Sequence, residues 1–176
     1  MKLHIGCGYE HMEGYVNTDI IQLPAVDKIF NLDTFPYPFE DNSIDEIYSA
    51  HVLEHVSDLG KTMEEFTRIC KPWAEIKVIV PYFSNPGTWA DYTHKRWFTT
   101  ATFQYFHPDF FYNHGAKIIC KKLRIHFLRN RKVFLKSAPI NWFPDFFINL
   151  VPKFYERFFA YILPSAEIHY LLQVVK

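Results

Sequence analysis

This chain lacks an excess of either charge: it has 19 basic and 19 acidic residues and a formal net charge of zero. A strongly basic balance would point to nucleic acid or to an anionic surface, so we expect no nucleic-acid partner. Long apolar runs are missing too, since no uncharged stretch reaches the ~18 residues that a membrane-spanning helix needs. These absences leave a globular protein as the expected class.

Cysteine is scarce, with three residues at the widely spaced positions Cys7, Cys70 and Cys120. An odd number at wide spacing fits the reduced thiols of a cytoplasmic protein better than a disulfide framework. Met1 and Lys2 lead straight into an apolar segment, so we expect no signal peptide and a cytoplasmic location. A length of 176 residues fits one core, so we expect a single domain over residues 1–176.

Glycine is also scarce, yet two of the six glycines stand close together in Gly6-Cys7-Gly8, directly after the apolar Leu3-His4-Ile5. Glycine has no Cβ and tolerates positive φ, so such a turn brings backbone close to a ligand. The next apolar segment ends in Asp19, and an acid at that position holds ribose hydroxyls in nucleotide-binding α/β sheets. Together these features predict an adenosine-containing ligand at the carboxyl edge of a parallel sheet.

The segment between the two predicted strands distinguishes between adenosine ligands. A dinucleotide site needs a third glycine and a helix whose N-terminus faces the pyrophosphate, and residues 9–14 offer neither. Glu10 and Glu13 would repel a pyrophosphate but would tolerate an ammonium and a sulfonium. The sequence therefore favours S-adenosylmethionine, and an NAD-binding oxidoreductase is kept as an alternative.

Four further segments follow in order along the chain. They are Asn31-Leu32-Asp33, the stretch 37–48 with Pro38-Phe39-Glu40-Asp41-Asn42-Ser43-Ile44-Asp45, then Leu53-Glu54-His55, and finally Arg68-Ile69-Cys70-Lys71-Pro72. With the glycine turn and Asp19, this set resembles the class I S-adenosylmethionine-dependent methyltransferases, in particular the type 11 group. The resemblance covers about residues 3–83 and continues more weakly to about residue 125. The sequence departs from it in the short first crossover and in Trp73-Ala74, where that group has two glycines.

The resemblance implies an α/β fold: a three-layer sandwich with a Rossmann-like, mainly parallel sheet of about seven strands and a reversed last strand. It implies S-adenosyl-L-methionine as cofactor and methyl transfer to a small-molecule acceptor. A non-catalytic module that binds S-adenosylmethionine or a protein partner is the second alternative. The expected cofactor-binding residues are Gly6, Cys7, Gly8, Asp19, Ile20, Leu32, Asp33, Ala50 and His51.

Apolar periodicity and the turn residues give a coarse map of the elements. A helix is expected near residues 58–70, capped by Ser57 or Asp58, and another after Thr99 or Thr100 that carries Phe103. Leu53 and Glu54 are expected to begin a helix after the fourth strand. Strands are expected near residues 3–6, 15–19, 28–32, 44–50, 75–81, 116–128, 131–137 and 168–175.

A polar cluster over residues 91–98 follows the fifth predicted strand, at the edge where a methyl acceptor is expected. We predict His94 as a catalytic base that takes a proton from a hydroxyl or amine acceptor, with Asp91 orienting it. Positioning of donor and acceptor in a dry pocket would supply much of the remaining rate enhancement. A plain surface loop is the alternative interpretation.

The stretch His51-Val52-Leu53-Glu54-His55 matches the inverted zinc-protease motif H-x-x-E-H. Two histidines four residues apart share a metal when they lie on one helical turn. Here they lie at a predicted junction between a strand and a helix, and no distant third ligand stands out. We therefore expect no metal, and we expect His51 to line the cofactor pocket.

Residues 139–164 form an unusual stretch, predicted as a helical insertion within the single domain. Pro139, Pro144, Pro152 and Pro164 cut it into short pieces, and aromatic residues fill them. Three roles are open: packing in the core, a lid over an apolar acceptor, or a surface that contacts a second copy or a membrane. The charges of Lys153, Glu156 and Arg157 argue against a membrane-spanning helix.

Overall fold

The computed structural model describes residues 1–113, 115–129 and 142–176. The helices are α1 (Leu59–Ile69), α2 (Pro86–Ala90), a 3₁₀ helix (Thr102–Phe106), α3 (Trp142–Leu150) and α4 (Pro152–Phe158). The strands are β1 (Lys2–Ile5), β2 (Val16–Asp19), β3 (Lys28–Ile29), β4 (Ile44–Ala50), β5 (Cys70–Pro81), β6 (Ile118–His126) and β7 (Glu167–Val174). The strand predicted at 131–137 lies outside the described residues.

The seven described strands form one sheet in the order β3-β2-β1-β4-β5-β7-β6. Strands β1 to β5 pair in parallel, whereas β7 runs antiparallel to both β5 and β6. The prediction of an α/β fold with a mainly parallel sheet and a reversed last strand is therefore confirmed. Because parallel strands end at one edge, the segments after β1, β2, β3, β4 and β5 all meet there.

Helix α1 forms where the sequence predicts it. Its apolar residues Met63, Phe66 and Ile69 recur at helical spacing, and each is fully buried. The Asp58 side chain caps the helix by accepting a hydrogen bond from the Lys61 amide at 3.0 Å. The expected helix start at Leu53 and Glu54 is wrong, because α1 begins at Leu59 and Glu54 is buried instead.

Strand β5 starts five residues earlier than the predicted 75–81, because Cys70 already pairs with Ile44. The pairing with β4 is irregular between Ile44 and Glu46, so the first part of β5 bends. Trp73 takes a φ of 67° at this bend. The resembled group has glycine here, and glycine adopts that conformation without strain.

The connection between β1 and β2 is held by a side chain rather than by a helix. Buried Asn17 accepts a hydrogen bond from the Met12 amide at 2.8 Å and donates to the Met12 carbonyl at 3.2 Å. The described chain contains no helix between the two strands, as the absence of helical periodicity predicts. The helix predicted after Thr99 is reduced to the short 3₁₀ turn, which ends before Pro108.

Among the described residues, none of the helices combines the length and the apolar character that crossing a membrane requires.

The Arg68 guanidinium joins the segment before β4 to helix α1. It donates to the carbonyls of Tyr37 and Phe39, both at 3.0 Å. It also pairs with the carboxylates of Glu65 at 2.7 Å and Asp41 at 2.6 Å. Two of the segments that carry the family resemblance are therefore parts of one hydrogen-bonded unit.

Replacing Arg68 with lysine should lower the free energy of unfolding by about 1–3 kcal/mol, because an ammonium cannot reproduce the fork that serves four acceptors. Urea unfolding measures the change. The control is Lys71→Ala, which breaks an ion pair with Asp45 whose two side chains are 46% and 47% exposed. An exposed pair contributes at most about 1 kcal/mol. Equal losses in both variants would contradict the role given to Arg68.

Candidate functional site

Two clefts open at the carboxyl edge of the parallel strands. The first has an empty volume of about 560 Å³. Its lining comes from the ends of β1, β2 and β3 and from the segment after β4. The lining residues are Ile5, Gly6, Thr18, Asp19, Ile20, Phe30, Asn31, Leu32, Asp33, Val52, His55 and Val56.

Gly6 lets the ends of β1 and β4 come together at the floor of the first cleft. Its φ is 66°, and a Cβ placed on it would overlap the Val52 side chain. Only glycine satisfies both conditions without strain. The Val52 side chain fills the space that a Cβ would take, and both residues line the cleft.

Asp19 ends β2 and is half-buried in the wall of the cleft. One carboxylate oxygen accepts from the Gly8 amide at 2.9 Å, and the other accepts from the Ile20 amide at 2.7 Å. The oxygen that accepts from Ile20 also has a long contact with the Ile21 amide at 3.4 Å. A carboxylate offers about four acceptor positions, so these three bonds leave capacity for a ribose hydroxyl. The bond to Gly8 also fixes the glycine turn relative to the acid.

Asp33 lies at the exposed rim of the cleft and already has partners. It accepts from the Ser57 amide at 2.7 Å and from the Ser57 hydroxyl at 2.6 Å. Desolvation alone would raise the pKa of Asp33, but these two bonds and nearby Lys95 outweigh it and lower the pKa. Asp33 therefore stays ionised and contributes negative charge to the rim.

The second cleft adjoins the first and has an empty volume of about 630 Å³. Polar and ionisable side chains dominate its lining, which consists of His51, Glu54, His55, Pro81, Asn85, Gly87, Asp91, His94, Arg129, Ala166 and Glu167. His55 borders both clefts. A ligand in one cleft would therefore lie next to a ligand in the other.

His51 lies in the second cleft and is not among the residues that line the first. Its φ is 57°, an unusual value for a residue with a side chain. The ring stands 3.5 Å from a Glu54 oxygen and 3.4 Å from a Glu167 oxygen. Desolvation would lower the pKa of His51, but the two carboxylates outweigh it and raise the pKa. The imidazolium form is thus favoured between two buried acids.

His94 has a fixed ring orientation. Its Nδ1 lies 2.8 Å from the Thr88 carbonyl oxygen, which can only accept, so Nδ1 carries the proton. In the neutral ring, Nε2 is then left with a free lone pair in the cleft. Asp91 lies 3.6 Å from Nε2. The Thr88 carbonyl rather than Asp91 therefore holds the ring, and Asp91 lies beside the nitrogen that would accept a proton.

Glu54, His55 and His94 each place one possible ligand atom within 4.8 Å of the other two. One carboxylate and two imidazoles are a donor set that divalent metals accept. His94 therefore supplies a distant donor that the sequence does not reveal, whereas His51, the other histidine of the motif, is not in this cluster. The expectation that the site works without a metal remains a prediction.

The structure brings together part of the predicted cofactor set. Gly6, Asp19, Ile20, Leu32 and Asp33 line the first cleft, whereas Cys7, Gly8, Ala50 and His51 do not. Cys7 is buried behind the turn and donates its amide to the Thr18 carbonyl at 3.0 Å. The lining residues that the prediction missed are Ile5, Thr18, Phe30, Asn31, Val52, His55 and Val56. Val52 and His55 directly follow β4, so the rule that strand ends share an edge would have found them.

The first cleft fits S-adenosylmethionine better than a dinucleotide. Apolar side chains offer a surface for the adenine, Asp19 has acceptor capacity for the ribose, and Gly6 contributes bare backbone to the lining. Asp19 and Asp33 make the cleft acidic, which suits an ammonium and a sulfonium. A pyrophosphate would need the N-terminus of a helix that directly follows β1, and the described chain has no helix between β1 and β2.

Comparison with known proteins supports this assignment. Residues 3–76 match the family model described as a methyltransferase domain. No curated protein matches the chain.

Solved methyltransferase structures share the fold at low sequence identity. One from Archaeoglobus fulgidus has a TM-score of 0.59 and 15% identity, covering 98% of this chain and 85% of its own. One from Mesorhizobium loti has a TM-score of 0.57 and 12% identity, covering 98% and 89%.

A third structure is a phosphoethanolamine N-methyltransferase from Haemonchus contortus, solved with phosphomonomethylethanolamine and S-adenosylhomocysteine. It has a TM-score of 0.54 and 12% identity, and the match covers 99% of this chain and 48% of that enzyme. The first two are described as S-adenosylmethionine-dependent methyltransferases. The resemblance predicted from the sequence is thus confirmed over residues 3–76, which match the methyltransferase-domain family, and the fold of the whole chain is similar to that of solved S-adenosylmethionine-dependent methyltransferases.

Proposed function

We propose that the first cleft holds S-adenosylmethionine and that the second holds a small, polar methyl acceptor. The proposal rests chiefly on the two clefts, which adjoin at the carboxyl edge and share His55. The two ligands would then face each other, and their alignment would supply much of the rate enhancement. When bound, the cofactor supplies a methyl group already activated on a sulfonium.

Each wall of the first cleft has a proposed role in binding. Asp19 accepts hydrogen bonds from the ribose, and Phe30 and Leu32 contact the adenine. The backbone of the turn Gly6-Cys7-Gly8 lies beside the methionine part. Ile20 and Asp33 complete the proposed lining of the first cleft. Ala50, at the end of β4, supports the site without lining either cleft, and His51 acts from the side of the second cleft.

His94 is the proposed base. With its Nδ1 proton held by the Thr88 carbonyl, Nε2 can take the proton that a hydroxyl or amine acceptor loses. Asp91 lies 3.6 Å from Nε2 and would stabilise the imidazolium that forms. A module that only binds the cofactor would not need this arrangement, so His94 favours an enzyme.

The polarity of the second cleft limits the acceptor class. His51, Arg129 and the carboxylates of Glu54 and Glu167 line it, so a wholly apolar acceptor would leave these groups without solvent. The Haemonchus contortus enzyme, which shares the fold, was solved with a small polar phosphobase. We also propose that residues 139–164 are an insertion in a single domain and, since all three cysteines are free, that the protein is cytoplasmic.

Asp19→Ala should weaken binding of S-adenosylhomocysteine by about tenfold or more, because hydrogen bonds to a charged acceptor contribute about 1.5–3 kcal/mol. Isothermal calorimetry measures the affinity, and NAD should give no binding. Asp33→Ala is the comparison and should have a smaller effect, since Asp33 lies at the exposed rim and its charge is already paired with Lys95 at 3.6 Å. An unchanged affinity in Asp19→Ala, or equal binding of NAD, would contradict the cofactor site.

Gly6→Ala should abolish cofactor binding, whereas Gly8→Ala should retain much of it. Both glycines have positive φ, at 66° and 55°, so both variants lose stability by about 1–2 kcal/mol. Only a Cβ at Gly6 meets the Val52 side chain, whereas nothing lies within 4 Å of one at Gly8. Calorimetry and thermal unfolding separate the two effects. The double variant Gly6→Ala/Val52→Ala should regain part of the affinity, and its failure to do so would count against the predicted overlap.

His94→Ala should lower kcat by roughly 10²–10⁴-fold, because it removes the group that takes the proton. The affinity for S-adenosylhomocysteine should be unchanged. The readout is S-adenosylhomocysteine release with an acceptor found by screening, and the exposed His107→Ala is the matched control. Turnover should also survive a chelator. Activity lost to the chelator and restored by a divalent metal would instead assign Glu54, His55 and His94 as metal ligands.

A further inference from the structure

Helices α3 and α4 turn their large apolar side chains outward. Between Trp142 and Leu163, twelve such residues are each at least 44% exposed. This aromatic face consists of Trp142, Phe143, Phe146, Phe147, Leu150, Val151, Phe154, Phe158, Phe159, Tyr161, Ile162 and Leu163. Helices on a protein surface normally bury such residues, and a large contiguous apolar patch marks an interaction site.

The polar side chains of α3 point into the protein and hold the helix against β6. Asp145 is fully buried and accepts from His126 at 2.7 Å and from the Phe127 amide at 2.8 Å. Asn149 donates to the Ile125 carbonyl at 2.6 Å and accepts from the Ile125 amide at 2.8 Å. The outward direction of the rings is therefore fixed by buried hydrogen bonds on the opposite side of the helix.

Helix α4 is anchored in the same way. Glu156 accepts from the Tyr82 hydroxyl at 2.9 Å, the Thr100 amide at 2.7 Å and the Thr100 hydroxyl at 3.0 Å. The structure describes every residue from Trp142 to Leu163. The two acids in this range, Asp145 and Glu156, thus both make hydrogen bonds to the body of the protein. The two basic residues, Lys153 and Arg157, are exposed beside the rings.

This charge distribution favours anionic lipid over a second copy of the chain. A symmetric contact through the aromatic face would bring Lys153 and Arg157 of both copies together, with the local acids turned inward. Anionic headgroups would instead neutralise both cations. The formal net charge of zero gives no general attraction, so we assign the attraction to the cations of this face rather than to the overall charge.

The dimensions of the face fit the interfacial layer of a bilayer. Helices α3 and α4 have 9 and 7 residues, which correspond to roughly 13 and 10 Å, well short of the ~30 Å hydrocarbon core. Trp142 is the first residue of the face in sequence and Tyr161 is among its last, and both carry amphipathic rings that favour headgroup depth. We propose that the aromatic face docks on an anionic membrane surface, with the rings inserted into one leaflet.

The docked face would lie beside the proposed acceptor cleft. Tyr161 contacts the ring of Phe83, just beyond the carboxyl end of β5, at 5.5 Å between centroids. The chain then passes from Leu163 to Ala166 and Glu167, which line the second cleft. An apolar groove of about 1070 Å³ runs between α3 and α4. Resting on the proposed function, this placement identifies the acceptor as a molecule whose polar group is presented at a lipid surface.

Vesicle sedimentation with the full chain tests the docking. The protein should sediment with vesicles of equal parts phosphatidylcholine and phosphatidylglycerol, and much less with phosphatidylcholine alone. Trp142→Ser/Phe146→Ser should weaken partitioning by roughly tenfold or more, because two rings no longer leave water. The matched control is Trp73→Ser/Phe111→Ser, which removes rings that are 64% and 79% exposed elsewhere and should change nothing.

The charges are tested separately. Lys153→Gln/Arg157→Gln should reduce the preference for anionic vesicles by roughly fivefold per charge, since each basic side chain near such a surface contributes ~1 kcal/mol. Lys121→Gln/Lys122→Gln, which removes two exposed cations from β6, should have little effect. Circular dichroism confirms that each variant is folded.

Two results would overturn the docking proposal. One is wild-type protein that stays in the supernatant with anionic vesicles. The other is a stable dimer in light scattering that Trp142→Ser/Phe146→Ser converts to monomer, because the face would then serve a second copy. Calorimetry with S-adenosylhomocysteine is independent of both, so failure of the docking is distinguished from failure of the proposed cofactor site.

Discussion

The close approach of Gly6 to Val52 determines the shape of the candidate site. Strands β1 and β4 pair in parallel and end together, and the first residue beyond β1 must leave space for the Val52 side chain. A residue with a Cβ would push the two strand ends apart. Gly6 and Val52 both line the first cleft, and the segment that carries Val52 begins at His51, which lines the second cleft.

The sequence predicts the elements whose signals are local. Helix α1 shows a buried apolar face and a capping Asp58, and β1 and β2 end at glycine and at an acid, so their positions are accurate to about one residue. Strand β5 is predicted too short because its first residues lie in a bend, where Pro72 and the positive φ of Trp73 hide the pairing. Glu54 is wrongly expected at the start of a helix, because its burial depends on residues that are distant in sequence and leaves no local pattern.

The candidate site is predicted less completely than the fold. Gly6 and Asp19 are found because turn chemistry and position reveal them. The partners of His94 could not be found, because the Thr88 carbonyl is a backbone group and His55 lies far away in sequence. The outward aromatic face is likewise hidden, since composition shows many rings but not that Asp145 and Glu156 anchor the opposite sides of the two helices.

A single imidazole that borders both clefts also has a thermodynamic consequence. With the two ligands in the proposed clefts, the first to bind would contact the His55 ring, and the second would meet a ring whose position and hydrogen bond to Thr93 had already been selected. The free energies of binding in the two clefts would then be coupled. By linkage, if bound methyl donor raises the affinity for the methyl acceptor by some factor, bound acceptor raises the affinity for the donor by the same factor.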